Sequence, residues 1–439
     1  MNQPNLAAIT PDELAIPPQS SGVNRTLIES FGQVQSRKYR LLGLTLRKLM
    51  PEVSQRCPII QFQEFLEGQS LYDRGRLFGT YLISDAMIAL QQIISDSSSA
   101  RSEHELNRLH GFTNAYAFAH LCGSVEGTQF PVYFNEYGEA RFSSHSRYLT
   151  SPSRSAHKAF LVRHNECVEL HTEGREVNTF TLSSFLDKTS TYTLTTSPSD
   201  DVMIKANEHI ANTDIQIAID DPNLIQELMR VIRMNPAARN HEEADSQANV
   251  CFSAAREMKQ SLDGAVQIIN MVWPQAAADV CDFTKAFMPF NNAVLTSYSQ
   301  PRLAGVTFLR FDQQEVHSLA ENILHENAHQ RLTILEQISP ILLNDADDLY
   351  SSPWRVDARP MRGLIYGIHA FTIVCLFYNH GIRRGSPWAV SQESYLRGQV
   401  ARLLQAKETI LQHAKLTAWG ERFLEGIIAR IDTVAAEQN

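Results

Sequence analysis

The sequence predicts an α+β protein that is predominantly helical, in which a long helix bearing a His-Glu-x-x-His pattern packs against a second apolar helix, with a smaller β-rich block. Apolar residues recur at three-to-four spacing over most of 25–120 and again beyond 222, the period of helices that bury one face. Between about 158 and 220 they alternate instead, and β-branched residues become common. A run of about 15 apolar residues, 364–378, interrupted by His369, reads as a buried helix, short of the ~20 residues that span a bilayer. The chain has 439 residues, 43% of them hydrophobic and 20% charged. That is an ordinary globular composition, long enough to bury a large core without staples.

Taken in order, residues 1–22 (beginning MNQPNLAAITPDELAIPPQS) lack a basic stretch followed by an apolar one and read as a flexible tail, not a signal peptide. Residues 23–150 form a helical N-terminal region, with a polar loop at SDSSSARS. A Ser-, Arg- and Pro-rich stretch at 145–155 marks a boundary. Residues 156–221 are the β-rich block: AFLVRH, CVELHT and VNTFTLSSF are strands, HTEGRE a hairpin turn, and MIKAN and IQIAI two further strands. Residues 222–439 are a helical region. Within it, AVLTSYSQPRLAGVTFLRF is a strand pair broken at Gln300-Pro301. Asp312 opens the long helix, with Glu315 completing a capping box. The helix runs to about Ile338, where Ser339-Pro340 stops it. Residues 344–362 form a polar loop, the apolar helix ends near His380-Gly381, and amphipathic helix fills 392–435. No internal repeat is present.

Thirty-nine basic residues against 48 acidic ones give a net charge of −9. A nucleic-acid partner is not expected from this balance, nor is a membrane. The basic clusters Arg37, Lys38, Arg40, Arg47, Lys48 and Arg383, Arg384 read as solvated faces. Six scattered cysteines without a C-x-x-C pair fit reduced thiols in a cytoplasm.

The chemistry concentrates in His325-Glu326-Asn327-Ala328-His329. Histidines at i and i+4 share one helix face, so both imidazoles can reach one metal ion. Glu326, rotated about 100° from His325, can ligate, orient a ligand, or act as a base on a metal-bound water. Zinc peptidases with this motif need a third ligand. The positions where metzincins carry Gly and His hold Leu332 and Leu335. The downstream Glu of gluzincins is absent, because no Glu occurs between Glu336 and Glu393, and Glu336 lies about 10 Å along the helix from His329. His369 is one candidate third ligand, and its bland alternative is a satisfied core histidine. Asp357 is the other. It would complete a two-His-one-carboxylate set, which favours non-haem Fe(II) and oxygen chemistry. The segment SSPWRVDARPMR adds Arg355, Arg359 and Arg362, whose planar guanidinium forks suit a carboxylate. Their bland alternative is pairing with the neighbouring aspartates.

Together HENAH, SSPWRVDARPMRG and YGIHAF, with TSYSQPRLAGVTFL before and LTAWGERFL after, resemble the HExxH-motif family found beside ribosomal-peptide (RiPP) biosynthetic machinery. That family is described as iron-containing, 2-oxoglutarate-dependent peptide β-hydroxylases. The resemblance covers roughly 295–428, about a third of the chain. It implies a fold other than the double-stranded β-helix, Fe(II) held by His325, His329 and His369, and 2-oxoglutarate gripped by Arg359 first and Arg355 second. Arg362 is a third candidate, and Ser297 or Ser299 adds a hydrogen bond. Dioxygen is the co-reactant, the partner is a precursor peptide hydroxylated at a side-chain carbon, and Glu326 orients a ligand or water. A sheet edge in 160–219 could take such a peptide, although a packing role is the simpler reading. The competing functions are a zinc metallopeptidase with Glu326 as general base and a non-catalytic peptide-binding protein. No G-x-G-x-x-G, G-x-x-x-x-G-K-[ST] or G-x-S-x-G motif occurs.

Overall fold

The computed structural model describes residues 6–50, 59–95, 103–123, 129–135, 137, 139–142, 147–150, 157–164, 167–172, 178–181, 203–219, 221–234, 255–292, 295–311 and 315–438. They divide into two units. One comprises Met1–Phe31, His209–Pro301 and Gly305–Asn439, the other Gly32–Glu208 with Arg302–Ala304. The chain begins with helices α1 (Pro11–Ala15), α2 (Ser21–Leu49), α3 (Ile59–Gly68), α4 (Leu71–Phe78), α5 (Tyr81–Ser95), α6 (Glu103–Arg108) and α7 (His110–Gly123). Strands follow: β1 (Gln129–Phe134), β2 (Glu139–Arg141), β3 (Arg147–Thr150), β4 (His157–His164), β5 (Cys167–Thr172), β6 (Asn178–Thr181), β7 (Met203–Ala206), β8 (Glu208–His209) and β9 (Gln216–Ile217). Then come α8 (Pro222–Met234), α9 (Ala255–Val272), α10 (Pro274–Phe283), β10 (Ala286–Phe290), β11 (Tyr298–Ser299), β12 (Val306–Arg310) and α11 (Val316–Ile338). The chain ends with β13 (Leu349–Ser352), β14 (Arg355–Pro360), α12 (Met361–Arg383), α13 (Pro387–Val390), α14 (Glu393–His413) and α15 (Ala418–Glu437).

The protein is thus predominantly helical α+β, and its sheets are small and open, not a double-stranded β-helix. In the second unit, β1-β4-β5-β6 form an antiparallel sheet and β2-β3-β7 a smaller one. The helical region expected over 23–150 therefore ends in strands, and β3 occupies the expected boundary. The turn between β5 and β6, and residues 182–200, lie outside the described residues. Tyr39, Phe62 and Phe112 pack their rings 4.9–5.2 Å apart among the helices of this unit.

The first unit is built around α11. A five-stranded sheet, β11-β12-β10-β9-β8, has fully buried β10 at its centre, parallel to both β12 and β9. Parallel strands buried on both faces read as continuous apolar runs, as AFMPF and VTFL do here. Leu324, Leu332 and Leu335 of α11 share a core with Leu364, Ile368 and Val374 of α12. Each such side chain contributes about 1.5–3 kcal/mol by burial. By length and composition α12 could cross a membrane, but 72% of its apolar window is buried inside the protein.

Three expectations are corrected. The first described residues are not a tail. Thr10 and Glu13 make a capping box that starts α1, and Ile9, Leu14, Ala15 and Ile16 are buried. Residues 6–16 lie along α15, where Arg430 binds Asp12 and a Cβ on Gly426 would sit 2.1 Å from the Pro11 carbonyl. The stretch 344–362 is not a loop throughout, because β13 and β14 pair as an antiparallel hairpin. The long helix begins at Val316 with Glu315 as its N-cap residue and no side-chain cap. Asp312 lies outside the described residues. The helix stops at Ser339, ahead of Pro340.

Candidate metal centre

Buried polar side chains on one side of α11 set its rotation. Gln330 accepts from the Gly305 amide at 3.0 Å and donates to the Val306 carbonyl at 2.7 Å, which ties the helix to the start of β12. Gly305 has φ 76°, a left-handed conformation that favours glycine at this approach. Asn327 donates to Asp279 at 2.9 Å and accepts from Thr284 at 3.0 Å. Arg331, 1% exposed, donates to Asp279 at 2.6 Å, to Asn24 at 2.7 Å and to the Glu13 carbonyl at 2.6 Å. With that side of the helix engaged, His325 and His329 are turned elsewhere, towards Phe371 and Tyr366 of α12. The His325 ring meets Phe371 edge-on at 4.8 Å, and the His329 ring lies 5.4 Å from Tyr366.

His325, Glu326 and His329 each place a ligand atom within 4.8 Å of the others. The two imidazoles are 4.7 Å apart and nearly perpendicular. Glu326 is buried, and one carboxylate oxygen accepts from the Ser299 hydroxyl at 2.8 Å. Burial pushes its carboxyl up to about 7, against the opposing pull of the Ser299 hydrogen bonds. Burial pushes His325 down to about 4, helped by the positive charge of Arg355. It pushes His329 well below its ordinary value, with His325 and His369 contributing. Both rings are therefore neutral at pH 7, the state that ligates metal. The Nδ1 of His329 is buried with no hydrogen-bond partner. Two neutral imidazoles, one of them with an orphaned ring nitrogen, and one carboxylate make a donor set that fits a transition metal ion.

The other expected site residues are distributed differently. His369 is fully buried and does not join the group. Its Nε2 pairs with the Ala15 carbonyl at 2.9 Å, and Phe423 stands against its ring at 5.3 Å. His369 thus lies outside the group of ligand atoms within 4.8 Å, although its Nδ1, like that of His329, is buried with no hydrogen-bond partner. Asp357, the rival ligand, pairs with Arg359 at 2.9 Å and is also outside the group. Arg362 binds Glu336 at 2.6 Å and lies 5.0 Å from the centre of the Tyr366 ring. Among the three arginines, Arg355 is the one whose charge acts on His325. Ser299 serves Glu326. Ser297 accepts from the Arg310 amide at 3.0 Å and so serves the pairing of strands.

Trp354, at the tip of the hairpin, stacks on Phe371 at 4.8 Å and 10° and donates to Gln399 at 3.1 Å. A Cβ on Gly367 would lie 3.0 Å from this indole, so glycine there admits the close approach. Tyr378 and Tyr395 both donate to Glu321, one turn before His325 on α11. These contacts fix the hairpin and the first half of α11 against α12 and α14. The hydrogen bonds among them join residues 45 to 74 positions apart, with no local pattern to announce them.

One buried histidine, His369, and the half-buried pair His325 and His329 give a pH prediction. The unfolded chain binds a proton to each near pH 6.5, whereas folded His369 and His325 resist to about 3 and 4. Their contribution is present above the unfolded value and is lost as pH falls through that window. Glu326 opposes it, because its raised carboxyl favours the folded chain below pH 7 and that stability is lost as pH rises towards 7. The lowered histidines, which also include His329, His110 and His380, outnumber the two raised carboxyls, Glu326 and Asp279. The metal-free protein is expected to show a lower urea midpoint at pH 4.5 than at pH 6.5, and an unchanged or higher midpoint at 4.5 contradicts this.

No model of a known protein family matches the chain, and no curated protein matches it either.

Proposed function

We propose that this chain is an Fe(II)- and 2-oxoglutarate-dependent oxygenase that hydroxylates a side-chain carbon, the β-carbon, of a residue in a ribosomally made peptide in the cytoplasm. The observation that carries the reading is the His325–Glu326–His329 group beside the charge of Arg355. Two histidines and one carboxylate with positions left open favour non-haem Fe(II) and oxygen chemistry. Bound iron would supply activation of dioxygen for attack on an unactivated C–H bond. His325 and His329 hold the ion, and Glu326 offers the oxygen that Ser299 does not occupy. Arg355 receives the distal carboxylate of 2-oxoglutarate. The stacked Trp354 and Phe371 cover the His325 side and limit water. The peptide substrate, its β-carbon and the cytoplasmic setting rest on the sequence resemblance and on six scattered cysteines without a C-x-x-C pair.

A second reading has its own support. A carboxyl near pH 7 beside two histidines suits the general base of a zinc hydrolase. Against it, no further His, Cys, Asp or Glu joins the group among the described residues, so a peptidase that keeps Glu326 free as base has two protein ligands in place of three. The experiment is consumption of 2-oxoglutarate by the iron-loaded protein in air, read as succinate. Arg355→Gln is expected to raise the 2-oxoglutarate requirement about ten- to a hundredfold, the worth of a charge-assisted hydrogen bond. Fe(II) affinity should hold, and Arg359→Gln should change little. Equal effects of the two substitutions, or succinate formation that ignores both, contradict the assignment.

A further inference from the structure

We propose that the outward face of α2 docks an acidic, leucine-bearing helical segment of a partner peptide. At 100° per residue, Arg37, Leu41, Leu44 and Lys48 fall on one face of α2 over about 17 Å, with Arg40 and Arg47 on its flank. All six are exposed, Leu41 by 67% and Leu44 by 54%. The opposite face, Tyr39, Gly43, Leu46 and Met50, is buried. The helix therefore has one apolar side spent on packing and a second apolar stripe facing solvent between cations.

Residues 30–51 contain no Asp or Glu, in a chain whose net charge is −9. The four face and flank cations make no ion pair among the described residues. A merely solvated helix face places polar residues where Leu41 and Leu44 stand, and mixes the signs of its charges. Leucines at i and i+3 with cations at i−4 and i+7 match a helix that presents leucines at the same spacing, flanked by carboxylates. Charge complementarity selects acidic over neutral peptides, and it steers encounter more than it adds affinity. A membrane surface fits less well. The stripe has two leucines and no aromatic residue, and the net negative charge of the chain opposes an anionic bilayer. Nucleic acid leaves the leucines without a role. The inference does not depend on the metal chemistry.

The test uses the full chain and two fluorescein-labelled peptides of about 15 residues. One carries Leu at helical spacing with Glu around it, and the other has Lys in place of each Glu. Saturable anisotropy with the Glu peptide only, weakened by salt, is expected. Arg37→Glu with Arg40→Glu and Arg47→Glu should weaken it at least about tenfold, and Leu41→Ser with Leu44→Ser comparably. Unchanged circular dichroism and an unchanged urea midpoint would show that both variants are folded. Failure to bind the Glu peptide, equal binding of both peptides, or indifference to the substitutions overturns the proposal. So does finding that the same substitutions instead abolish binding to phosphatidylglycerol vesicles, to an oligonucleotide, or to a second copy in sedimentation.

Discussion

His325→Ala and His329→Ala are each expected to reduce Fe(II) affinity by at least about a hundredfold, whereas His369→Gln leaves it within a few-fold. The first two remove a donor from a group whose ligand atoms lie within 4.8 Å of one another. What remains is one imidazole and one carboxylate, too few to hold a divalent ion against water. His369 has a different task. Its Nε2–H is engaged by the Ala15 carbonyl, one of the last carbonyls of α1, which have no partner within that short helix. Glutamine can donate to the same carbonyl, so this variant separates ligation from packing. His369→Ala removes the donor and opens a cavity, and should cost about 2–4 kcal/mol of stability without abolishing metal binding. Isothermal titration under anaerobic conditions reads the affinities, and urea denaturation reads the stability. If His369→Gln loses iron as completely as His325→Ala, His369 is a ligand and the ring must leave Ala15 to reach the ion.

Asp279→Ala is expected to be the most destabilising single change at the centre, by about 3–5 kcal/mol. Asp279 and Arg331 are each about 1% exposed and 2.6 Å apart. Removing the carboxylate strands a guanidinium in the core, and it also takes an acceptor from Asn24 and from Asn327. Asn327 sits between Glu326 and Ala328, so its loss of anchorage lets α11 turn. Metal affinity should fall along with stability. Replacing the pair together, as Asp279→Leu with Arg331→Met, removes the stranded charge. It should cost less than Asp279→Ala alone, although the carbonyls of Glu13 and Leu14 and the amide of Asn24 lose partners. A double variant less stable than Asp279→Ala would contradict this account. Urea midpoints at pH 7, with circular dichroism, read the comparison.

These two expectations differ in how far the sequence foretold them. The i, i+4 histidines and the periodicity of 316–338 announced both the helix and the shared face, because both depend on local spacing alone. The buried pair did not announce itself. Arg331 stands among apolar residues of the metal helix, a signal that a charge enters the core, but its partners lie 52 and 307 positions away. The capping box TPDE was readable and would have turned part of the expected tail into α1. The hairpin of β13 and β14 passed for a loop because β14 is largely exposed without alternation, and β13 alternates only between exposed and half-buried positions. His369 shows the limit of spacing between helices. A lone histidine in an apolar helix can face a neighbouring helix's metal or its packing, and only the rotation of α12 decides. Arg359 pairs with Asp357 two residues away, a neighbouring-aspartate contact that local spacing already allowed.

We propose that His325, Glu326 and His329 form an iron site that takes 2-oxoglutarate beside Arg355. Its most direct measurement needs no peptide. Fe(II) and 2-oxoglutarate are added without oxygen to metal-free protein and the visible spectrum is recorded. A weak metal-to-ligand charge-transfer band, absent in His325→Ala and needing more 2-oxoglutarate in Arg355→Gln, is the predicted result. Protein that ignores iron, retains one zinc and shows no band contradicts the account, and moves Glu326 to the role of general base in a hydrolase.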